Sequence, residues 1–239
     1  MKRILEKFWQ ALSPEGITCI VCGAELNHDS RYSMCDSCLK KMPLIKKSCE
    51  KCGREIYDDS KLCFDCAGSG AKYDKVYSVL NYEGVVAGLI YRLKYGGEKY
   101  LAKYLARFMV DRLKEANVKF DIIVPVPLNK NRFKKRGFNQ AELLADEIAS
   151  ELNTQAVSCM DRVVDTPFQA RLTREERLTN LKDAFVIGDK SLVKGKTVLI
   201  IDDIFTTGST INECATVLFK AKAKSVIAIT LSHAKKKFV

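Results

Sequence analysis

Two adjacent aspartates, Asp202 and Asp203, lie between an apolar run and a group of small polar residues. The run at 197–201 has the β-branched, apolar composition of a buried strand. Carboxylates accept hydrogen bonds from hydroxyl groups or bind Mg²⁺, whereas amides and hydroxyls at a glycine turn before a helix bind phosphate. The small polar residues are Thr206, Thr207, Gly208, Ser209 and Thr210.

The acids and the glycine turn fit a ligand that has a phosphate at one end and a diol at the other. Two carboxylates repel a phosphate, so the two groups must meet different parts of one molecule. Ribose 5-phosphate has this layout. The alternative is a plain strand–turn–helix junction with a capped helix N-terminus, which accounts for the threonines and the glycine but gives the two acids no role.

A second set of residues with recognisable chemistry is a run of cysteines, eight of which fall between Cys19 and Cys66. They form a repeated CxxC…CxxC pattern, and two close pairs of thiolates match the tetrahedral coordination of Zn²⁺. A cytoplasmic setting disfavours a disulfide framework, so we predict two structural zinc ions. An interleaved pairing stays open, but the sequential one is favoured: Cys19, Cys22, Cys35 and Cys38 for one ion, and Cys49, Cys52, Cys63 and Cys66 for the other.

The rest of the chain alternates between strand and helix patterns, which predicts an α/β fold with a parallel sheet flanked by helices. Ligands of such sheets bind beyond the carboxyl ends of the strands, where the two aspartates fall. We therefore predict a small N-terminal double zinc ribbon at 1–70 and an α/β domain at 71–239. Strands are predicted at 76–82, 121–126, 197–202 and 225–231, and helices at 85–95, 98–113, 141–152 and 210–221.

The second predicted strand is followed by a strongly basic segment, residues 127–137, which holds five basic residues and no acid. We expect a loop there whose cations meet a pyrophosphate group. Without its position after a strand, such a run of charged residues would more often be a solvated surface than a binding site.

Segment 198–210 resembles the phosphoribosyl pyrophosphate (PRPP) loop of type I phosphoribosyltransferases. The whole chain, with Arg136-Gly137-Phe138-Asn139-Gln140 in between, resembles the ComF/ComFC competence family. The resemblance implies a type I phosphoribosyltransferase-like domain in which Asp202 and Asp203 bind the ribose hydroxyls of Mg²⁺-PRPP, and residues 206–210 bind its 5-phosphate. It also implies that 165–177 is a flexible loop, with Gln169, Arg177 and Asn180 matching the family pattern.

Forty Lys and Arg residues against 29 Asp and Glu give a net charge of +11, which favours an acidic partner but also fits a solvated basic surface. No apolar run approaches the length of a membrane span. We therefore expect a soluble, cytoplasmic protein without membrane insertion, and the family resemblance places it at the periphery of the DNA-uptake machinery.

Two functions are compatible with these features. In the first, an enzyme transfers ribose 5-phosphate from PRPP to an unidentified nitrogen acceptor, and Lys134, Arg136 and Arg177 stabilise the departing pyrophosphate. In the second, which the resemblance favours, the protein handles single-stranded DNA in natural transformation alongside other DNA-uptake proteins and keeps a site for PRPP or another 5-phosphoribosyl ligand. Basic and aromatic residues would bind DNA at 91–95, at 235–238 and, above all, at Arg132, Phe133, Lys134, Lys135 and Arg136.

Overall fold

The computed structural model describes residues 18–26, 30–163 and 184–234, and the chain divides into two compact units, Met1–Met42 and Pro43–Val239. The first unit holds the first cysteine cluster and the short helix α1 (Asp36–Leu39). The second cluster and helix α2 (Phe64–Ala67) belong to the second unit, where Cys49 and Cys52 share one apolar core with the sheet. The sequence predicted a domain boundary after residue 70, where the second cysteine motif has ended. The compact units divide earlier, after Met42, because the second ribbon packs on the sheet.

The central sheet is parallel, as the alternating pattern predicts, and its strands are β1 (Lys75–Asn81), β2 (Ile122–Pro125), β5 (Thr197–Phe205) and β6 (Ser225–His233). Their order in the sheet is β1-β6-β5-β2. Their apolar residues are buried on both faces, which is typical of parallel sheets covered by helices. β5 runs beyond the predicted end at residue 202, because its pairing with β6 continues to Phe205 opposite His233. Both aspartates therefore lie inside a strand.

Helices cover the sheet, and they are α3 (Gly84–Tyr95), α4 (Leu101–Glu115), α5 (Lys130–Arg136), α6 (Gln140–Glu151) and α7 (Ser209–Lys220). On one face, Val198 and Ile200 of β5 share a core with Ile211 and Leu218 of α7. Helices α4 and α6 pack against each other and against the sheet.

The basic segment after β2 is a short helix, α5, and the prediction of a loop there was wrong. The Asn129 side chain begins the helix by accepting hydrogen bonds from the backbone N–H groups of Asn131 and Arg132, at 2.8 and 3.4 Å. Gly137 ends it with a φ of +78°. The sequence contained the signals for the start and the end of this helix, Asn129 and Gly137. They enclose only about two turns, and those turns show no helical pattern of apolar residues, so the helix was missed.

A two-stranded antiparallel sheet of β3 (Met160–Arg162) and β4 (Phe185–Ile187) was not predicted. Each strand has three residues, which is too short to show an alternating pattern. A single 3₁₀ turn, Lys190–Leu192, follows β4. The predicted flexible loop at 165–177, together with Asn180, lies outside the described residues. Within the described ranges, no helix combines the length and apolarity needed to cross a membrane.

Candidate functional site

A cavity of about 220 Å³ opens at the carboxyl edge of the sheet, where the sequence analysis expected a ligand. Its walls come from separate segments of the chain, and they bring acids, hydroxyls and cations into one space. The charged and hydroxyl-bearing lining residues are Lys94, Tyr95, Arg132, Arg136, Arg162, Asp202, Asp203, Thr206 and Thr210.

Asp203 is buried and is held by side chains from two helices. Lys94, near the end of α3, forms an ion pair with Oδ2, and Gln140 at the start of α6 donates from Nε2 to Oδ1 at 3.3 Å. Burial raises the pKa of Asp203, but the Lys94 ammonium group outweighs burial, and the pKa lies below its usual range. Asp203 is therefore a carboxylate at neutral pH, and each of its oxygens already has a protein partner.

Asp202 differs from its neighbour because successive side chains in a strand leave opposite faces of the sheet. It is half-buried and lines the cavity, and its Oδ1 accepts a hydrogen bond from the backbone N–H of Asp203 at 2.8 Å. Burial, and then the negative charge of Asp203, raise the pKa of Asp202 well above its usual range. The two acids that look equivalent in the sequence thus have different partners and different proton affinities.

The turn between β5 and α7 needs glycine at residue 208. Gly208 has a φ of +80°, and a Cβ atom there would lie 2.5 Å from Cζ of Phe205. Thr207 Oγ1 and Ser209 Oγ lie 2.7 Å apart and close the turn. Thr206 and Thr210 line the cavity, and α7 begins at Ser209 between them. Of the five predicted phosphate ligands, the structure therefore brings these two threonines to the cavity wall.

The helical conformation of α5 divides the predicted basic residues into two sets. Arg132 and Arg136 are four positions apart, on one helical face, and both line the cavity. Phe133, Lys134 and Lys135 are exposed to solvent and are not among the lining residues. The predicted catalytic role of Arg136 thus has a matching position, whereas Lys134 does not face the cavity. Arg177 lies outside the described residues.

Arg136 also connects the cavity to helix α3. Its guanidinium donates to Gln140 Oε1, and its Cζ lies 5.0 Å from the ring centroid of Tyr95. Gln140 in turn donates to Asp203, so a hydrogen-bonded path runs from the basic helix to the buried acid. The mouth of the cavity is therefore built from α3, α5 and α6 together.

Lys94, Gln140 and Arg162 are lining residues that the sequence analysis did not identify as site residues. Lys94 was assigned only to a segment of mixed basic and aromatic residues. Gln140 was noted only within a family motif. Arg162 is buried on the short strand β3, which showed no strand pattern. The available signal for Lys94 was a lysine directly after the buried Leu93 on a largely apolar helix, where an unpaired charge is costly.

The eight ribbon cysteines form two clusters in the sequential grouping that the spacing favoured. Within each cluster the sulfur atoms lie within 4.8 Å of one another, as tetrahedral zinc requires. Gly53, with a φ of +73°, turns the second cluster's first knuckle. Burial raises the pKa of Cys49, but hydrogen bonds from the backbone amides of Cys52, Cys63 and Lys51 outweigh burial and lower it to about 7. The donors thus fit two structural zinc ions.

The second cysteine cluster lies directly beneath the candidate phosphate turn. A small cavity of about 40 Å³ is lined from one side by Cys52 and Cys66 and from the other by Thr206 and Thr207. An ion pair of 2.7 Å between Arg54 and Asp65 also borders this cavity. The ribbon therefore forms part of the support of the phosphate turn.

Aromatic side chains continue this support into the sheet. Tyr73 meets Phe205 edge-on with their centroids 6.3 Å apart, and Phe205 stacks on His233 at 4.9 Å. Burial, followed by the charge of Arg54, lowers the pKa of His233 to about 4. His233 is therefore uncharged at physiological pH where its ring stacks on Phe205.

Comparison with known proteins agrees with both parts of this architecture. The double zinc ribbon domain family matches residues 8–67, and the phosphoribosyl transferase domain family matches residues 98–237. Competence protein F of Haemophilus influenzae is 29% identical over 90% of this chain and 96% of its own length. The DNA utilization protein YhgH of Salmonella typhimurium is 31% identical over 82% of this chain and 88% of its own length.

The chain belongs to the competence protein F family. A further member, competence protein ComFC of Bacillus subtilis, is 27% identical over 90% of this chain and 94% of its own length. The family resemblance noted from the sequence is thus confirmed, and so are the phosphoribosyltransferase-like sheet and the double zinc ribbon.

Proposed function

We propose that this protein binds Mg²⁺-PRPP in the cavity at the sheet edge and handles single-stranded DNA during natural transformation. The observation that carries the proposal is the joint lining of one cavity by Asp202, by Thr206 and Thr210, and by Arg132 and Arg136. These groups match the hydroxyl donors, the 5-phosphate and the pyrophosphate of PRPP, respectively. The names of the relatives, competence and DNA utilization proteins, support the DNA part.

Each group has a distinct task in this arrangement. The N-terminal amides of α7 bind the 5-phosphate, and Asp202 accepts hydrogen bonds from the ribose hydroxyls. Arg132 and Arg136 neutralise the pyrophosphate. Asp202 and Asp203 are the two carboxylates of the lining, and carboxylate oxygens are ligands that Mg²⁺ prefers, so the donor set fits a magnesium ion brought in with PRPP. That ion would neutralise part of the ligand's charge.

The DNA part of the proposal rests on the outward face of α5. Lys134 and Lys135 are exposed there beside Phe133, whose side chain is 46% accessible. Exposed cations next to an aromatic ring combine phosphate contacts with base stacking. Because these residues point away from the cavity lining, the two ligands use separate sets of α5 side chains. Other DNA-uptake proteins are the proposed partners of this surface.

Replacing Asp202 with Asn should weaken Mg²⁺-PRPP binding about 10- to 100-fold, because hydrogen bonds to a charged acceptor contribute about 1.5–3 kcal/mol. Isothermal titration calorimetry measures the effect. Asp161→Asn is the matched control, because Asp161 is exposed on β3 and does not line the cavity. Unchanged affinity in a folded Asp202→Asn variant would exclude this acid from the ribose site.

A second substitution tests the DNA surface. Lys134→Ala with Lys135→Ala should make the dependence of single-strand affinity on log salt shallower by about 1.4, because each lost phosphate contact on a single strand contributes about 0.7. PRPP affinity should stay the same. The charge-matched control is Lys119→Ala with Lys220→Ala, two exposed lysines on other helices or loops. An unchanged slope would remove the outward face of α5 from the DNA site.

The whole proposal is tested by titrating labelled PRPP and labelled single-stranded DNA separately and then in competition. Binding of both ligands supports it, and absence of PRPP binding refutes the sugar-phosphate part. Arg132 and Arg136 also suit stabilisation of a leaving pyrophosphate, which favours phosphoribosyl transfer as the second candidate function. Release of pyrophosphate in the presence of nitrogen nucleophiles would identify that activity.

A further inference from the structure

Two exposed tyrosines stand on helix α3 next to the mouth of the cavity. Tyr91 and Tyr95 are four residues apart, so they lie on one helical face, and their ring centroids are 5.1 Å apart. Their side chains are 63% and 58% accessible, respectively. Exposed apolar side chains scattered singly are normal, but these two rings are in contact and form one aromatic patch.

The tyrosine pair continues into the basic helix. The Arg136 guanidinium lies 5.0 Å from the centroid of Tyr95, and both residues also line the cavity. Tyr91 extends the row away from the cavity and is not a lining residue. The surface therefore runs from Tyr91, through Tyr95, to Arg136 on α5. That helix also carries the exposed Lys134 and Lys135.

This row combines the two interactions that a single nucleic-acid strand needs. Stacking on a tyrosine ring accommodates any base, because every base has a π-face. The neighbouring cations of α5, which have no acidic residue among them, meet the phosphates on either side of a stacked base. An uncharged peptide or an apolar protein surface would leave these cations without partners, so charge complementarity favours a polyanion. The exposed tyrosine rings favour a polyanion that also carries flat rings.

We propose that Tyr91 and Tyr95 form a base-stacking site for single-stranded DNA at the mouth of the phosphoribosyl cavity. The proposal rests on the DNA part of the proposed function and adds the location at which bases are bound. The strand stacks a base on Tyr91, beside Tyr95, and its backbone continues across Arg136 onto the outward face of α5. Binding there is independent of base sequence, because ring faces rather than base edges are recognised.

The test compares two strands of about twelve nucleotides, within the usual site size of single-strand-binding surfaces: oligothymidylate and an abasic deoxyribose-phosphate strand. The two strands carry the same phosphates, and only the first carries bases. Tyr91→Ala should weaken oligothymidylate binding about 5- to 150-fold, which corresponds to the loss of one stacked base. It should leave abasic-strand binding, the salt dependence and PRPP affinity unchanged, and Tyr91→Phe should behave as wild type.

Phe64→Ala is the matched control, because Phe64 is an exposed aromatic residue, 96% accessible, on the second zinc ribbon. An oligothymidylate carrying 5-iododeoxyuridine should crosslink to Tyr91 on irradiation. Wild-type affinity of Tyr91→Ala for oligothymidylate, or an equal loss on both strands, would overturn the stacking site while leaving DNA binding in place. If Phe64→Ala alone weakened oligothymidylate binding, the base-stacking site would lie on the second zinc ribbon and not on α3. If wild-type protein binds neither strand, both this inference and the DNA part of the proposed function fail.

Discussion

Replacing Cys49 with Ser should abolish PRPP binding, whereas the equivalent replacement in the first ribbon, Cys19→Ser, should leave PRPP affinity within about twofold. The two cysteines occupy the same position in the CxxC repeat, and both are almost fully buried. They differ in location, because Cys19 belongs to the first compact unit and Cys49 shares the core of the second.

The reason for the expected difference is the support beneath the phosphate turn. Cys52 and Cys66 line the small cavity whose other wall is Thr206 and Thr207. Structural zinc contributes roughly 10–16 kcal/mol to folding in zinc-finger peptides, which is comparable to the whole stability of a typical domain. Loss of the second ion should therefore disorder the ribbon and release the turn that it supports.

Native mass spectrometry should count two Zn²⁺ ions in the wild-type protein and one in each variant. Calorimetric titration with Mg²⁺-PRPP then gives the affinities, and circular dichroism reports whether the sheet persists. Retention of wild-type PRPP affinity by a Cys49→Ser protein with a single bound ion would show that the ribbon does not support the turn. Loss of affinity in Cys19→Ser would show that the first ribbon is required as well.

The sequence predicted those features that local pattern determines. Apolar runs such as that of β5 identify the four strands, and cysteine spacing identifies both clusters, because each pattern is written in neighbouring residues. The order of strands in the sheet and the packing of the second ribbon under the phosphate turn depend on contacts between distant segments. Cys52 and Thr206, for example, line one cavity although more than a hundred residues separate them.

The candidate site was likewise predictable only where neighbouring residues form a pattern. The pair Asp202 and Asp203 was found because two adjacent acids are conspicuous after a buried strand. Their different environments were not predictable, since they follow from strand alternation together with the positions of α3 and α6. The sequence also could not predict which side chains of α5 line the cavity, because a segment expected to be a loop has no defined faces.

Lys94 is the residue whose replacement should most alter the pH dependence of ligand binding. The Lys94 side chain is 17% accessible, and its ammonium group pairs with the carboxylate of Asp203, whose side chain is 5% accessible. Removal of one partner from a buried ion pair costs about 3–5 kcal/mol, because the remaining charge stays buried. The variant Lys94→Met should therefore be less stable, and combining it with Asp203→Asn should restore stability by removing the unpaired charge.

The affinity of Lys94→Met for Mg²⁺-PRPP should also shift its dependence on pH. In the wild-type protein, burial and the Asp203 charge raise the pKa of Asp202, while Lys94 lowers the pKa of both acids. Without Lys94 the two acids hold a proton to higher pH, so the pH at which binding reaches half of its full strength should rise. Below that midpoint, affinity should fall about tenfold per pH unit for one retained proton.

Calorimetric titrations of PRPP across a pH series separate this electrostatic role from a purely structural one. Lys94→Arg keeps the positive charge and should retain the wild-type midpoint, even if its absolute affinity is lower. Lys94→Met should move the midpoint upward and recover affinity in alkaline buffer, because both carboxylates are then ionised. A uniform loss of affinity at every pH, with the midpoint unchanged, would mean that Lys94 supports the cavity wall without controlling the charge of the acid pair.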